Sequence, residues 1–125
     1  MNDLDFLTLV RHETKVTALV PGQYLFQKGD SAEAMYVVRS GELQIGDGNV
    51  VYETVGPGGI VGEMALIDHH PRSATVTAAE RSDVVAVSEE SFLSFVLTDP
   101  GFSLQVMRMI VERLRRSAVF VPDAR

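Results

Sequence analysis

The spacing of turn signals constrains this chain more than any other feature. Between Lys15 and Ser88, clusters of Gly, Pro, Asp and Asn interrupt the sequence about every ten residues, the interval that predicts an antiparallel sandwich or barrel. Val16–Val20 stops at Pro21-Gly22. Tyr24-Leu25-Phe26 stops at Lys28-Gly29-Asp30, and Ala34 to Arg39 stops at Ser40-Gly41. Leu43 and Ile45 alternate with Glu42 and Gln44, the period-two pattern of a half-buried strand. Gly46-Asp47-Gly48-Asn49 reads as a tight hairpin, with Asp-Gly supplying the positive φ angles of a type I′ turn. A strand resumes over Val50–Val55 and breaks at Gly56-Pro57-Gly58-Gly59. Further strands are predicted over Ser73–Ala79 and Asp83–Val87. Glu63 to Ile67 is rich in helix formers and fits a helical turn or two.

The flanks follow a different period. Asn2 to His12 predicts a short helix, capped by Asn2 or Asp3, with Leu4, Leu7 and Val10 on one face. After Ser88 the pattern is helical again. Ser88-Glu89-Glu90-Ser91 combines a cap with acids in the first turn, and Phe92, Phe95 and Val96 recur at helical spacing. Thr98-Asp99-Pro100 ends this helix and starts the last one, with Pro at the first helical position. Along Pro100–Ala118, Leu104, Met107, Val111, Leu114 and Ala118 form one apolar stripe, which Val106, Met109 and Ile110 widen. A helix that apolar has two surfaces to satisfy. The barrel is one, and a second copy of the chain, forming a homodimer through this helix, is the other.

Composition narrows the function classes. With 125 residues and 46% hydrophobic content, the chain has a core's worth of apolar material for one domain. Cysteine is absent, which excludes disulfides, thiolate metal sites and a thiol nucleophile and points to a cytoplasmic setting. No stretch approaches about 18 consecutive apolar residues, and Asp3 and Asp5 stand where a signal peptide carries basic residues. Residues 1–107 hold 6 basic and 15 acidic residues, whereas 108–125 hold 5 and 2. An acidic body is a poor partner for nucleic acid, whose phosphates are neutralised by Lys and Arg. The cluster Arg108, Arg113, Arg115 and Arg116 reads as a solvated face that also suits a helix C-terminus.

One segment concentrates binding chemistry. At Gly62 a strand ends in a residue that lets backbone approach a ligand closely, and a short helix begins at Glu63-Met64. The first N–H groups of that helix are free and favour an anion. Nine residues after Glu63 comes Arg72, on a strand that folds back over the same spot, with a planar donor fork matched to phosphate. A carboxylate beside it accepts hydrogen bonds from a sugar hydroxyl, as acidic residues do with ribose. Together these residues describe a pocket for a sugar phosphate.

The same residues carry a resemblance. Gly62-Glu63-Met64-Ala65-Leu66 and Arg72-Ser73-Ala74 resemble the phosphate-binding cassette of the cyclic nucleotide-binding domain family, at that family's spacing. The likeness extends from Lys15 to Arg116. It includes Phe26-Gln27-Lys28-Gly29-Asp30, Tyr36-Val37-Val38-Arg39-Ser40-Gly41 and the paired helices after Ser88. It implies a mainly β fold, an antiparallel β-roll or jelly-roll barrel with a cassette helix, a short N-terminal helix and two C-terminal helices. The whole of 1–125 is then one domain: an N-terminal helical segment over 1–14, a β-roll over 15–88 with the cassette at 61–75, and helices over 89–118. By resemblance, Glu63 accepts from the ribose 2′-hydroxyl and Arg72 pairs with the cyclic phosphate. The backbone of Gly62, Met64 and Ala65, with Ser73, completes the phosphate contacts. Ile45, Tyr52 and Thr54 lie where the family lines its base and sugar pocket, with side-chain direction left open. Ser117 lies where a bacterial transcriptional regulator of the family contacts the adenine amine. Ser73 and Ala74 occupy the positions where Thr accompanies cGMP preference, which leans the expectation to cAMP. Val61 replaces the usual aromatic before Gly62, a departure that loosens packing and spares the ligand groups. Gly59 stands where Asp is common, which affects the turn alone.

Other chemistries fit less well. His69-His70, with His12 as a third ligand, is a weak metal pattern, because adjacent loop residues seldom point the same way. This also argues against a cupin enzyme. No glycine–serine–glycine elbow marks a hydrolase. The expectation is a ligand sensor, not an enzyme, that binds cAMP, needs no metal or cofactor, and signals through its C-terminal helices to an unidentified protein. Two rivals are a dimeric adaptor of the same fold that has lost its ligand and the sensor fragment of a DNA-binding regulator. Relatives that bind DNA carry a helix-turn-helix after the last helix, and nine residues follow Arg116 here.

Overall fold

A run of apolar residues with no polar alternation belongs to a strand covered on both faces. Ala34-Met35-Tyr36-Val37-Val38 is such a run, and in a computed structural model that describes residues 6–11 and 13–116 it lies at the centre of the molecule. The chain forms α1 (Phe6–Val10), β1 (Thr17–Leu19), β2 (Tyr24–Phe26), β3 (Ala34–Ser40), β4 (Leu43–Asp47), β5 (Val50–Val55), β6 (Ile60–Val61), α2 (Glu63–Asp68), β7 (Thr75–Ala78), β8 (Ser82–Ser88), α3 (Glu89–Thr98) and α4 (Pro100–Arg116). Two four-stranded antiparallel sheets result, in the orders β1-β8-β3-β6 and β2-β7-β4-β5. This is the β-roll with flanking helices that the turn spacing and the resemblance imply.

The first sheet serves two cores. Met35, Val37, Ile60, Val85 and Val87 face the helices and pack with Phe6, Val10, Leu66, Phe92, Phe102 and Val106. Val38, Val61 and Val84 face the second sheet and pack with Leu19, Leu43, Val55, Val76 and Ala78. Successive residues of β3 and β6 thus enter opposite layers, as the strand period requires. Val61, where the family carries an aromatic, is fully buried between the sheets.

The helices depart from the predicted faces. In α1 the buried residues are Phe6 and Val10, with Leu7 packed at the edge, and Leu4 lies outside the described residues. In α4 the core side is Phe102, Val106, Met109 and Ile110, while Leu104, Met107, Val111 and Leu114 are exposed. Of the two apolar surfaces expected on this helix, the widening residues Val106, Met109 and Ile110 meet the barrel side and the stripe lies outward. Aromatic volume decides this: Phe102 packs edge-on against Phe6 and Phe92 and tilted against Phe95, which fixes the rotation of the helix. The cap predicted at Ser88 forms, Asp99 supplies one for α4, and Asn2 and Asp3 lie outside the described residues. Ser88 Oγ accepts from the Ser91 N–H at 3.1 Å, and Asp99 Oδ1 accepts from the Phe102 N–H at 3.1 Å.

The β4–β5 hairpin turns on Gly48-Asn49, with a positive φ at Gly48 alone, so the two positive angles of a type I′ turn are not present. Its ladder slips between Ile45 and Gly46, passing from Ile45↔Glu53 to Gly46↔Val51 and leaving Tyr52 without a partner. Gly46 makes this bulge feasible, since a Cβ there would lie 2.2 Å from the Val50 carbonyl oxygen. The bulge resets the alternation of β5 before Glu53.

Candidate ligand-binding site

A cavity of about 730 Å³ opens between β2, the β4–β5 hairpin, α2, the loop before β7, and the end of α4. Its floor begins where β6 meets α2. Gly62 sits there at φ 83 and starts the helix with no side-chain cap. The N–H groups of the first turn, at Met64 and Ala65, lie beyond the reach of intrahelical bonding and both residues line the cavity.

Arg72 forms the adjoining corner. It lies in the loop three residues before β7, not on a strand as expected, and it is 5% exposed. Its backbone is fixed to the β2–β3 turn: the Arg72 N–H donates to Asp30 O and Gly29 N–H donates to Arg72 O, both at 2.8 Å. Its side chain donates through Nη1 to Gly62 O at 2.8 Å and through Nη2 to Ala34 O at 2.6 Å, with Cζ 3.9 Å from the centre of the Phe26 ring. Nε is buried with no hydrogen-bond partner among the described residues. Burial pushes the Arg72 guanidinium below its ordinary value, while Tyr36, Asp30 and Glu63 favour its charge. A buried cation with an orphaned donor is a strong acceptor of an anion.

Glu63 is 1% exposed and forms the opposite wall. Its partner is not Arg72. Arg113, from α4, donates through Nη1 to Glu63 Oε1 and Oε2 at 3.0 and 2.8 Å. The same guanidinium donates through Nε to both oxygens of Glu53 at 3.0 Å and through Nη2 to Ile60 O at 2.5 Å. Arg116 adds a 3.2 Å contact to Glu53. Among the described residues, three arginines and two glutamates thus line the cavity, a local excess of one positive charge in an acidic chain.

The arrangement has a buried guanidinium corner, a buried carboxylate opposite it and an apolar stretch made by Ile45, Val51, Ile110 and Leu114. A model of the cyclic nucleotide-binding domain matches residues 16–99. The chain belongs to the cyclic nucleotide-binding domain family. It is 30% identical over 101 residues to the cyclic AMP receptor protein of Thermus thermophilus, covering 77% of this chain and 47% of that one. It is 34% identical over 107 residues to the acetyltransferase Pat of Mycolicibacterium smegmatis, covering 82% and 32%. The fold matches the EAL enzyme Bd1971 in a cGMP-bound form with TM-score 0.67 and 31% identity, covering 82% of this chain and 28% of that one. A cAMP-bound form of Bd1971 gives TM-score 0.64. The chain spans less than half the length of these relatives.

Within this family member, the cavity gathers Gly62, Glu63, Met64, Ala65, Arg72, Ser73, Ala74, Ile45 and Tyr52. Thr54 is exposed and falls outside it, because the strand alternation that buries Val55 turns Thr54 outward and Glu53 inward. Ser117 and His12 lie outside the described residues. His69 and His70 are exposed, each beside one carboxylate, Glu89 and Asp68. Arg113 and Glu53 are the residues that sequence reasoning missed. Arg113 continues the spacing of Phe102, Val106, Met109 and Ile110, so an arginine on the core face of α4 was the available signal.

Proposed function

We propose that this domain binds a 3′,5′-cyclic nucleotide, prefers cAMP, and reports occupancy through α3 and α4. The observation that carries the reading is Arg72, whose buried guanidinium keeps an Nε with no partner among the described residues, in the lining of a cavity that also presents Glu63. The phosphate meets Arg72 and the N–H groups of Met64 and Ala65, with Ser73 beside them. The ribose 2′-hydroxyl donates to Glu63, and the base extends along Ile45 and Tyr52 toward α4. Capture of the anion tightens residues 61–75, and the helices settle against the pocket because the ligand binds that state better. The preference for cAMP rests on Ser73 and Ala74. The domain acts by binding rather than catalysis, in a cytoplasmic setting, and its downstream protein partner is unidentified.

Isothermal titration with cAMP and cGMP tests the reading. Saturable binding of both, tighter for cAMP, is the expected result. Absence of binding by either overturns it and favours an adaptor of the same fold.

The exposed stripe Leu104, Met107, Val111 and Leu114 supports a homodimer. Its alternating spacing of three and four is that of a coiled-coil seam. The same titration followed by sedimentation velocity reads whether the chain pairs; a monomer at all concentrations removes the dimer.

A further inference from the structure

Ile45 and Glu53 stand directly opposite each other across β4 and β5, and both line the cavity. Opposed residues on one face of a ladder hold their Cβ atoms about 5 Å apart. A base lying along Ile45 therefore has the Glu53 carboxylate beside it. The rest of that stretch is Val51, Ile110 and Leu114, whose apolar surfaces hold a planar ring without regard to the groups on its edge. Glu53 is the acid of this stretch, with its side chain 20% exposed.

The carboxylate has capacity to spare. Both oxygens accept from Arg113 Nε at 3.0 Å, and Oε2 also takes Arg116 Nη2 at 3.2 Å. A carboxylate offers about four lone-pair sites, so Oε1 retains one. The Arg116 contact is exchangeable as well, because that side chain is 56% exposed and such a pair contributes little. The two arginines donate and cannot accept. An N–H on the edge of a base is then met by Glu53.

We propose that Glu53 is a specificity-determining residue: it accepts a hydrogen bond from an N–H on the edge of the base, which in cAMP is the N6 amine. The inference rests on the cyclic nucleotide reading and deepens it, by giving the base a polar contact of its own. A site that hydrogen-bonds one group of its ligand discriminates against the analogue that lacks it. Here the discrimination is modest, since the arginines still pair the carboxylate when the amine is missing.

The test compares 3′,5′-cAMP with purine riboside 3′,5′-cyclic monophosphate on the full chain. The two share sugar, phosphate and ring system, and the second carries hydrogen in place of the amine. The readout is the ratio of the two affinities. A loss of folded protein, or a disturbance of the sugar and phosphate contacts, changes both titrations alike and cancels. The wild-type chain is expected to favour cAMP by about 10-fold, as a hydrogen bond to a charged group gives. Glu53→Ala is expected to bring the ratio below about 2-fold. Glu53→Gln keeps an acceptor oxygen without the charge and is expected to give about 3- to 5-fold. A wild-type ratio near one, or a wild-type ratio preserved in Glu53→Ala, overturns the assignment. Failure of the wild-type chain to bind either compound overturns the cyclic nucleotide reading itself.

Discussion

The two ends of the cavity are built by different means. At the Arg72 end, the guanidinium is held by backbone carbonyls and an aromatic face from three separate segments. At the α4 end, the wall is held by side-chain ion pairs centred on Arg113. Backbone acceptors are fixed by the fold and cannot withdraw without unfolding it. Ion pairs between long side chains can exchange one partner for another. The first end is preorganised, and such a site loses little in ordering when a ligand arrives. The second end can rearrange, as the proposed reporting of occupancy requires.

The sharpest way to break this contrast is at Arg72. Arg72→Ala removes the residue proposed to hold the phosphate and is expected to cost about 2–5 kcal/mol of binding, measured by titration with cAMP. Unchanged affinity would show that the anion corner lies elsewhere. Phe102→Ala attacks the other end at its root, where the ring packs against Phe6, Phe92 and Phe95 with centroid distances of 6.0, 5.7 and 5.2 Å. It is expected to cost about 3–5 kcal/mol of folding stability in a urea melt, with a smaller loss of binding than Arg72→Ala. If the folded variant lost affinity as heavily as Arg72→Ala, the two ends would not be independent.

Sequence reading reached these two ends unequally, for a physical reason. The Arg72 end is local: Gly62, Glu63 and Arg72 fall within eleven residues, and the spacing alone brings them together. The strands were legible too, because turn residues bound them. The α4 end depends on distant choices. Which face of α4 meets the core is decided by Phe102 packing on Phe6 from the other end of the chain, and Phe6 stood outside the predicted face of α1. Which residues of β5 before Glu53 enter the site is decided by the bulge that strands Tyr52, and a bulge changes the alternation without changing the hydrophobic pattern. Arg113 becomes legible only once the face of α4 is set, whereas Glu53 follows the alternation that buries Val55. The charge arithmetic misled for a related reason. Arg113 was counted with a solvated basic face, yet its side chain is 14% exposed and serves two carboxylates.

Gly62 offers the finest cut between the ends, because two separate demands meet there. Its φ of 83 lies in the left-handed region, where a residue with a Cβ costs about 1–3 kcal/mol. A Cβ would also lie 2.6 Å from Arg72 Nη1 and 3.2 Å from the Phe26 ring. Gly62→Ala meets both penalties. Gly62→Asn meets the second while easing the first, since Asn tolerates the left-handed region better than other side chains. If the backbone angle were the whole role, Asn would restore both stability and binding. The crowding predicts otherwise: Asn recovers part of the melting temperature lost by Ala, while both variants bind cAMP about 3- to 10-fold more weakly, because a displaced guanidinium loses part of its phosphate geometry. Thermal melts and titrations on the same pair of variants separate the two demands. Wild-type affinity in both would mean that Arg72 yields freely, and the preorganised end of the cavity would be no more rigid than the end built on α4.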